Sequence, residues 1–206
     1  MSAAGLDAVT LDAYGTLVEL HSPVERLRDA LALRGVAVDE EVVARAFRAE
    51  VAYYAEHKGE GRDAASLADL RRRCSVVFLE SAGAPGLDFV DDFAAALVFR
   101  PLPGVEGALA RLRSLGLALA VVSNWDCSLA RHLRELGLDG FSTVVTSAEA
   151  GAAKPDARIF APAVTALGVA PDRILHVGDQ PEDEAGALAA GLRFAPAPLA
   201  EAVDTL

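Results

Sequence analysis

The chain has 206 residues, of which 52% are hydrophobic, and its formal net charge is −11 at pH 7. A chain of this length and composition can bury a sizeable core, so we expect it to fold and not to remain disordered. Its negative charge repels nucleic acids and anionic membrane surfaces, which argues against both as partners. Its two cysteines, Cys74 and Cys127, are too few for a disulfide framework. Because the sequence shows neither a secretory leader nor an apolar stretch of bilayer length, it predicts a cytoplasmic protein.

Helical and apolar segments alternate along residues 101–195. The segment VEGALARLRSLG has apolar residues at helical spacing and is followed by the apolar run LALAVVS, and this order returns three more times. Such alternation predicts an α/β protein with a doubly wound, Rossmann-like parallel sheet and helices on both faces. The strands are expected at about residues 7–13, 117–122, 143–146 and 174–177, and in the segment LRFA.

Residues 18–100 separate the first predicted strand from the others and show only helical periodicity. Four segments carry an apolar stripe with acidic residues near the start, a pattern typical of amphipathic helices. They are PVERLRDALALRG, DEEVVARAFRAEVAYYAEHK, SLADLRRRCSVVFLESAG and LDFVDDFAAALVF. The sequence therefore predicts an α/β core formed by residues 1–17 and 101–206, with an inserted helical domain at residues 18–100.

Polar and charged residues follow four of the predicted strands. In chain order they are Asp12, then Ser123 and Asn124, then Lys154, and finally Asp179 and Asp183. The carboxyl ends of parallel strands share one edge of a sheet, so we expect these side chains to converge there. Three carboxylates against one ammonium leave an excess of negative charge, at a cost of roughly 4 kcal/mol for each pair about 4 Å apart. A Mg²⁺ ion, which binds carboxylate oxygens and phosphate, would relieve this repulsion.

Each of these residues also has a structural alternative. Asp183 is equally suited to cap the helix that follows it, and the pair Ser123 and Asn124 is a common start of a turn. Lys154 taken alone would be a solvated lysine. Asp12 could cap a turn, but an acid at the end of a buried strand is a poor structural choice, so a functional role is favoured for it. The interpretation as a site therefore depends on the convergence of these residues.

Four segments, LDAYGTL, VSN, KPD and HVGDQPED, occur in this order along the chain. In order and spacing they resemble the four motifs of the haloacid dehalogenase-like hydrolase superfamily, over about residues 6–17 and 101–195. The insertion at residues 18–100 resembles the helical cap that many members carry between the first two motifs.

The resemblance implies a role for each matching residue. Asp12 would be the nucleophile that forms a covalent aspartyl intermediate, and Lys154 would neutralise charge on the nucleophile and the transferring group. Ser123 would hydrogen-bond the substrate anion, and Asn124 beside it would shape the loop. The implied metal ligands for Mg²⁺ are Asp12, Asp179, Asp183 and the backbone carbonyl of Tyr14, and the backbone N–H groups of Tyr14, Gly15 and Thr16 would cradle phosphate oxygens. The implied substrate is a small phosphorylated metabolite.

Tyr14 departs from the usual pattern. Phosphatases of the superfamily usually carry an aspartate two residues after the nucleophile as general acid, whereas a tyrosine with a pKa of about 10 is a reluctant proton donor. The segment DAYGTL resembles the 2-haloacid dehalogenases, which need no such acid and use no metal. The acidic segment HVGDQPED does not resemble them. Because Asp179 would place an unpaired charge in a metal-free pocket, the Mg²⁺-dependent phosphatase is favoured.

Two alternatives stay open. A 2-haloacid dehalogenase would need an arginine that binds the substrate carboxylate, and the insertion offers several, including Arg26 and Arg28. The other alternative is a protein that binds a phosphorylated ligand on the same scaffold with little turnover, since a fold does not guarantee activity. The sequence leaves the substrate and the oligomeric state open, a homodimer included.

Overall fold

The computed structural model describes residues 5–206. The chain divides into two compact units, one that runs to Glu19 and resumes from Pro101 to Leu206, and one that comprises Leu20–Arg100. The strands are β1 (Ala8–Leu11), β2 (Val18–Leu20), β3 (Phe99–Pro101), β4 (Ala118–Ser123), β5 (Val144–Thr146), β6 (Ile174–Gly178) and β7 (Arg193–Pro196). The helices are α1 (Pro23–Leu33), α2 (Glu40–His57), α3 (Ala64–Ala82), α4 (Val90–Ala96), α5 (Val105–Ser114), α6 (Leu129–Glu135), α7 (Ser147–Ala150), α8 (Ala161–Leu167), α9 (Pro181–Ala189) and α10 (Leu199–Asp204).

The first unit contains a five-stranded parallel sheet in the order β5-β4-β1-β6-β7. The chain starts at the centre with β1, steps outward through β4 to β5, and then crosses to the other side of β1 for β6 and β7. This order is that of a doubly wound, Rossmann-like sheet, which confirms the predicted fold class. The direction of winding reverses between β1 and β6, and a crevice opens at such a switch point outside the carboxyl ends of the strands.

Alternate residues of each strand face opposite sides of the sheet. Thr10 on β1 lies beside Ala120 on β4 and His176 on β6 in the strand register. The apolar cluster on this face includes residues of α8 and α9, among them Ala163 and Ala187. Every residue of β1 and β6 is buried. A polar side chain on these strands must therefore find its partner within the protein.

Helices α1 to α4 form the second unit, and each of the four predicted helical segments is present. Their apolar faces enclose a core that includes Leu27, Leu70 and Phe78. The Phe78 ring packs near the rings of Phe89 and Phe93, with centroids 6.2 and 5.3 Å away. In the part of the chain that the structure describes, none of the helices has the length and apolarity needed to cross a membrane.

Two short strands at the ends of the insertion were not predicted. Strands β2 and β3 pair in a separate two-stranded sheet. Each has three residues, which is too short for an alternating pattern to stand out from helical periodicity.

Candidate active site

The four predicted charged residues of the site lie together at the carboxyl edge of the sheet. Asp12 follows β1, and its backbone N–H donates to the carbonyl of Val177 on β6 at 2.9 Å. Asp179 directly follows β6, and Asp183 is the third residue of α9. One oxygen of each of the three carboxylates lies within 4.8 Å of the others. The switch point of the sheet thus brings three acids to one place.

Lys154 provides the cation of this group. Its ammonium donates to Oδ1 of Asp12 at 2.5 Å, to the carbonyl of Val122 at 3.0 Å, and to Oδ1 of Asp183. The three acceptors match the three protons of an ammonium group. Since the side chain is only 2% exposed, the alternative of a solvated lysine is wrong.

One ammonium does not balance three carboxylates. At a separation of 4.8 Å, two carboxylates repel by about 3 kcal/mol at an effective dielectric constant near 20. Burial raises the pKa of Asp183, but the hydrogen bond from His176 and the charge of Lys154 outweigh it and hold this pKa well below its ordinary value. The pKa of Asp179 is raised, first by partial burial and then by the charges of Asp12 and Asp183. The site therefore favours a further cation.

The two oxygens of Asp183 serve different partners. Oδ2 accepts the backbone N–H of Gln180 at 3.0 Å, and Gln180 is the N-cap residue of α9. Oδ1 faces Lys154 and His176. Asp183 therefore caps its helix and belongs to the acidic cluster at once, so that the two interpretations offered by the sequence are compatible.

The loop after Asp12 passes directly against Asp179. Gly15 has a φ of +82°, and a Cβ atom at this position would overlap the Asp179 carboxylate. The N–H groups of Gly15 and Thr16 donate within the loop, to the carbonyls of Val18 at 2.9 Å and Ala13 at 3.4 Å. Two of the three N–H groups predicted to cradle phosphate are thus already engaged. The Thr16 hydroxyl is buried without a hydrogen-bond partner.

Ser123 and Asn124 lie at the end of β4. Ser123 is the last residue of the strand and is buried. The Asn124 side chain accepts the backbone N–H of Lys154 at 2.7 Å and donates to its carbonyl at 3.0 Å. The Asn124 amide therefore holds the backbone of the loop at Lys154.

Tyr14 presents its ring to solvent and is 48% exposed. The centroid of this ring lies 6.5 Å from that of Trp125, with the two planes inclined by 53°. Trp125 itself is buried. The role of the Tyr14 carbonyl as a metal ligand stays a prediction.

Sequence reasoning missed two buried polar residues at the site. Nε2 of His176 lies 3.2 Å from Oδ1 of Asp183, and Nδ1 lies 3.0 Å from Oγ1 of Thr10. Burial lowers the pKa of His176. Thr10 interrupts the otherwise apolar strand AVTL, and His176 interrupts the otherwise apolar strand ILHVG. A polar residue within such an apolar run is the feature of the sequence that could have identified them. Their pairing depends on the strand register, which the sequence does not reveal.

The donor set of the acidic cluster fits a hard divalent cation. Mg²⁺ prefers oxygen ligands and binds through one or two carboxylates together with water and phosphate oxygens. Within residues 5–206, Asp12, Asp179 and Asp183 form the group of three acidic, histidine or cysteine side chains close enough to share an ion. A set made only of carboxylates suits Mg²⁺ better than zinc, which favours sulfur and nitrogen ligands.

Comparison with known proteins places this arrangement in a family. A family model described as haloacid dehalogenase-like hydrolase matches residues 6–191. The mouse protein Haloacid dehalogenase-like hydrolase domain-containing protein 3 is 35% identical over 185 residues, which cover 83% of this chain and 73% of the mouse protein. Phosphoserine phosphatase of Thermus thermophilus is 46% identical over 94 residues, which cover 44% of this chain and 38% of the phosphatase.

A solved structure extends the similarity to nearly the whole chain. L-2-haloacid dehalogenase from Xanthobacter autotrophicus superposes with a TM-score of 0.69 at 26% identity, over 93% of this chain and 77% of the dehalogenase. The range matched by the family model includes the three carboxylates and the lysine of the site. The chain belongs to the haloacid dehalogenase-like hydrolase family.

Proposed function

We propose that this protein is a Mg²⁺-dependent phosphatase that hydrolyses a small phosphorylated metabolite through an aspartyl-phosphate intermediate on Asp12. The observation that carries this proposal is the gathering of three carboxylate oxygens within 4.8 Å of one another beside a single lysine. A pocket with this excess of negative charge accepts a phosphate group only when a further cation is present. The similarity to phosphoserine phosphatase of Thermus thermophilus supports a phosphate ester as the substrate.

In the proposed reaction, the Asp12 carboxylate attacks the phosphorus of the monoester. The bond between phosphorus and the leaving oxygen breaks, and the leaving oxygen takes a proton from water. A water molecule then attacks the phosphorus of the aspartyl-phosphate, which releases inorganic phosphate and restores the carboxylate. Mg²⁺, when held by Asp12, Asp179 and Asp183, supplies the positive charge that lets the substrate anion approach these acids.

Lys154 orients the nucleophile in this proposal. Its ammonium binds Oδ1 of Asp12, so we assign Oδ2 as the attacking oxygen. The lysine is itself held by its burial and by two hydrogen bonds between its backbone and the Asn124 side chain, which accepts from the Lys154 N–H and donates to the Lys154 carbonyl. Its charge also stabilises the negative charge on the transferring phosphoryl group. Ser123, at the end of β4, is assigned to hydrogen-bond the substrate phosphate.

We assign substrate selection to the helical unit, Leu20–Arg100, as a cap domain. This unit interrupts the chain between Asp12 and Ser123, which is the place of the cap in the family that the sequence resembles. A net charge of −11 accords with a small substrate and not with a nucleic acid, whose phosphates the protein surface would repel.

A parallel screen for phosphate release and halide release, with Mg²⁺ or with EDTA, tests the proposed function. We expect the protein to hydrolyse p-nitrophenyl phosphate in the presence of Mg²⁺, and to lose this activity in EDTA and in the Asp12→Asn variant. Phosphate release that persists in EDTA would contradict the proposal. Tight binding of a phosphorylated ligand without any product would instead favour a binding protein on this scaffold.

A 2-haloacid dehalogenase is the second candidate, favoured by Tyr14 and by the similarity to the Xanthobacter autotrophicus enzyme. It predicts chloride release from 2-chloropropionate in EDTA. The two arginines named for the substrate carboxylate already have partners within the helical unit. Arg26 donates to the carbonyl of Ala96 at 3.2 Å, and Arg28 pairs with Glu40 at 3.0 Å. Absence of halide release from a panel of short haloacids would remove this candidate.

A further inference from the structure

A buried chain of hydrogen bonds connects β1 to Asp183. Oγ1 of Thr10 lies 3.0 Å from Nδ1 of His176, and Nε2 of His176 lies 3.2 Å from Oδ1 of Asp183. Thr10 and His176 are fully buried, and Asp183 is 1% exposed. Since Thr10 and His176 are register partners on adjacent strands, the backbone ladder fixes the first link of the chain.

The partners of His176 determine the orientation of its ring. A carboxylate oxygen only accepts hydrogen bonds, so Nε2 carries the proton in the bond to Asp183. The Thr10 hydroxyl is hydrogen-bonded to the other ring nitrogen, Nδ1. A ring flipped by 180° would lose both hydrogen bonds. Phe160 packs against the imidazole with the centroids 4.9 Å apart and the planes at 84°, which further restricts the ring.

We propose that His176 is a positioning residue that fixes the Asp183 carboxylate in the orientation needed for Mg²⁺, with Thr10 holding the imidazole ring. This inference rests on the proposed function. Both oxygens of the Asp183 carboxylate accept hydrogen bonds, Oδ2 from the Gln180 N–H and Oδ1 from His176. Without the imidazole, Lys154 would be the partner left on Oδ1, and the carboxylate could turn toward the ammonium and away from an ion.

A histidine that only packs in the core would behave differently on substitution. An apolar replacement of such a residue changes the stability of the protein and leaves the affinity for a metal ion unaltered. A positioning residue changes the affinity for the ion in a protein that is still folded, typically by about 10–100-fold for a group that orients a metal ligand. Mg²⁺ affinity measured beside thermal stability therefore separates the two roles.

Three variants test the proposal: His176→Leu, which removes the donor, His176→Gln, which keeps an N–H donor on a flexible side chain, and the double variant Thr10→Val with His176→Leu. The double variant removes the hydroxyl that the single variant would leave unpartnered, so it guards against loss of folding. The dissociation constant for MgCl₂ is measured by titration calorimetry on the metal-free protein, together with the thermal midpoint.

We expect His176→Leu and the double variant to bind Mg²⁺ about 10–100-fold more weakly than the wild type, and His176→Gln to recover most of the loss. Wild-type Mg²⁺ affinity in either folded leucine variant would overturn the positioning role, as would a glutamine variant no better than leucine. If the wild-type protein itself binds no Mg²⁺, the proposed function fails and this inference fails with it. If the wild type binds Mg²⁺ and a folded leucine variant binds it equally well, only the positioning role of His176 fails.

Discussion

The ammonium nitrogen of Lys154 lies 2.5 Å from Oδ1 of Asp12, although 142 positions separate the two residues in the chain. The same ammonium contacts Asp183, so one buried cation holds two buried carboxylates. Removing one partner of a buried ion pair leaves an uncompensated charge, which lowers the stability of the protein by roughly 3–5 kcal/mol. We expect Lys154→Met to lower the free energy of unfolding by about 3 kcal/mol in urea at pH 7.5 with EDTA.

Arg158→Met is the matched control for this change. The Arg158 side chain is 77% exposed and pairs with Asp156 at the surface, and such pairs contribute at most about 1 kcal/mol. We expect the control to unfold close to the wild-type urea midpoint. A Lys154→Met protein as stable as the wild type in EDTA would show that the two carboxylates do not depend on the ammonium.

The close approach of Gly15 to Asp179 predicts a second effect. In Gly15→Ala the added Cβ would meet the Asp179 carboxylate, so the carboxylate must move away from the other two acids. We expect Mg²⁺ affinity, measured by titration calorimetry, to fall by about tenfold or more. The positive φ of the new alanine should also cost about 1–2 kcal/mol of stability.

Gly116→Ala separates these two consequences. Gly116 has a φ of +75°, close to that of Gly15, but nothing lies within 4 Å of the position of its Cβ. This variant should show a similar loss of stability and an unchanged dissociation constant for Mg²⁺. Equal Mg²⁺ affinities in the Gly15 and Gly116 variants would mean that Asp179 does not contribute to the ion site.

The third prediction concerns Tyr14, which occupies the position usual for a general acid. A carboxyl group there could protonate a poor leaving group, and general acid–base help contributes about 10²–10⁴-fold. We expect Tyr14→Asp to raise kcat/KM for alkyl phosphates by about tenfold or more, with a smaller gain for p-nitrophenyl phosphate, whose leaving group needs no proton. Tyr14→Asn, which changes the size in the same way without providing an acid, is the control. A gain equal in both variants would point to steric relief.

Much of this arrangement was predictable because it depends on local patterns. The strands that end at Leu11, Ser123 and Gly178 are apolar runs that stop at a polar or acidic residue. The parallel order of such strands then brings their carboxyl ends to one edge, whatever the details of packing. This parallel order is sufficient to predict that Asp12 and Asp179 lie close together.

The unpredicted features depend on contacts between distant segments. Asn124 binds the backbone of Lys154 across 30 positions, and the path of the intervening loop is not encoded in a periodic pattern. The pairing of Thr10 with His176 requires the exact register of two strands, which 166 positions separate. The role of each of these polar residues depends on the distant residue that it contacts in the folded protein. A residue-by-residue interpretation of the sequence does not identify that partner.

The last prediction concerns Glu50, a buried glutamate on α2 that is 4% exposed. Burial raises its pKa from 4.5 to about 7, and the hydrogen bond with Cys74 offsets only part of this effect. Between these two pH values the folded protein keeps a proton that the unfolded chain has lost. The contribution of this proton to the free energy of unfolding is therefore fully present below pH 4.5, decreases as the pH rises, and is lost above about pH 7. The free energy of unfolding falls by about 3 kcal/mol in total over this range.

Urea unfolding of wild type and Glu50→Gln between pH 5 and pH 8 measures this contribution. Glutamine has no proton to lose, so the variant should gain about 2–3 kcal/mol relative to the wild type across this range. Glu41→Gln, an exposed position on the same helix, controls for the change in net charge and should follow the wild-type pH dependence. If the wild type and Glu50→Gln lose stability in parallel as the pH rises, Glu50 is ionised in the folded protein and its burial does not control the pH dependence.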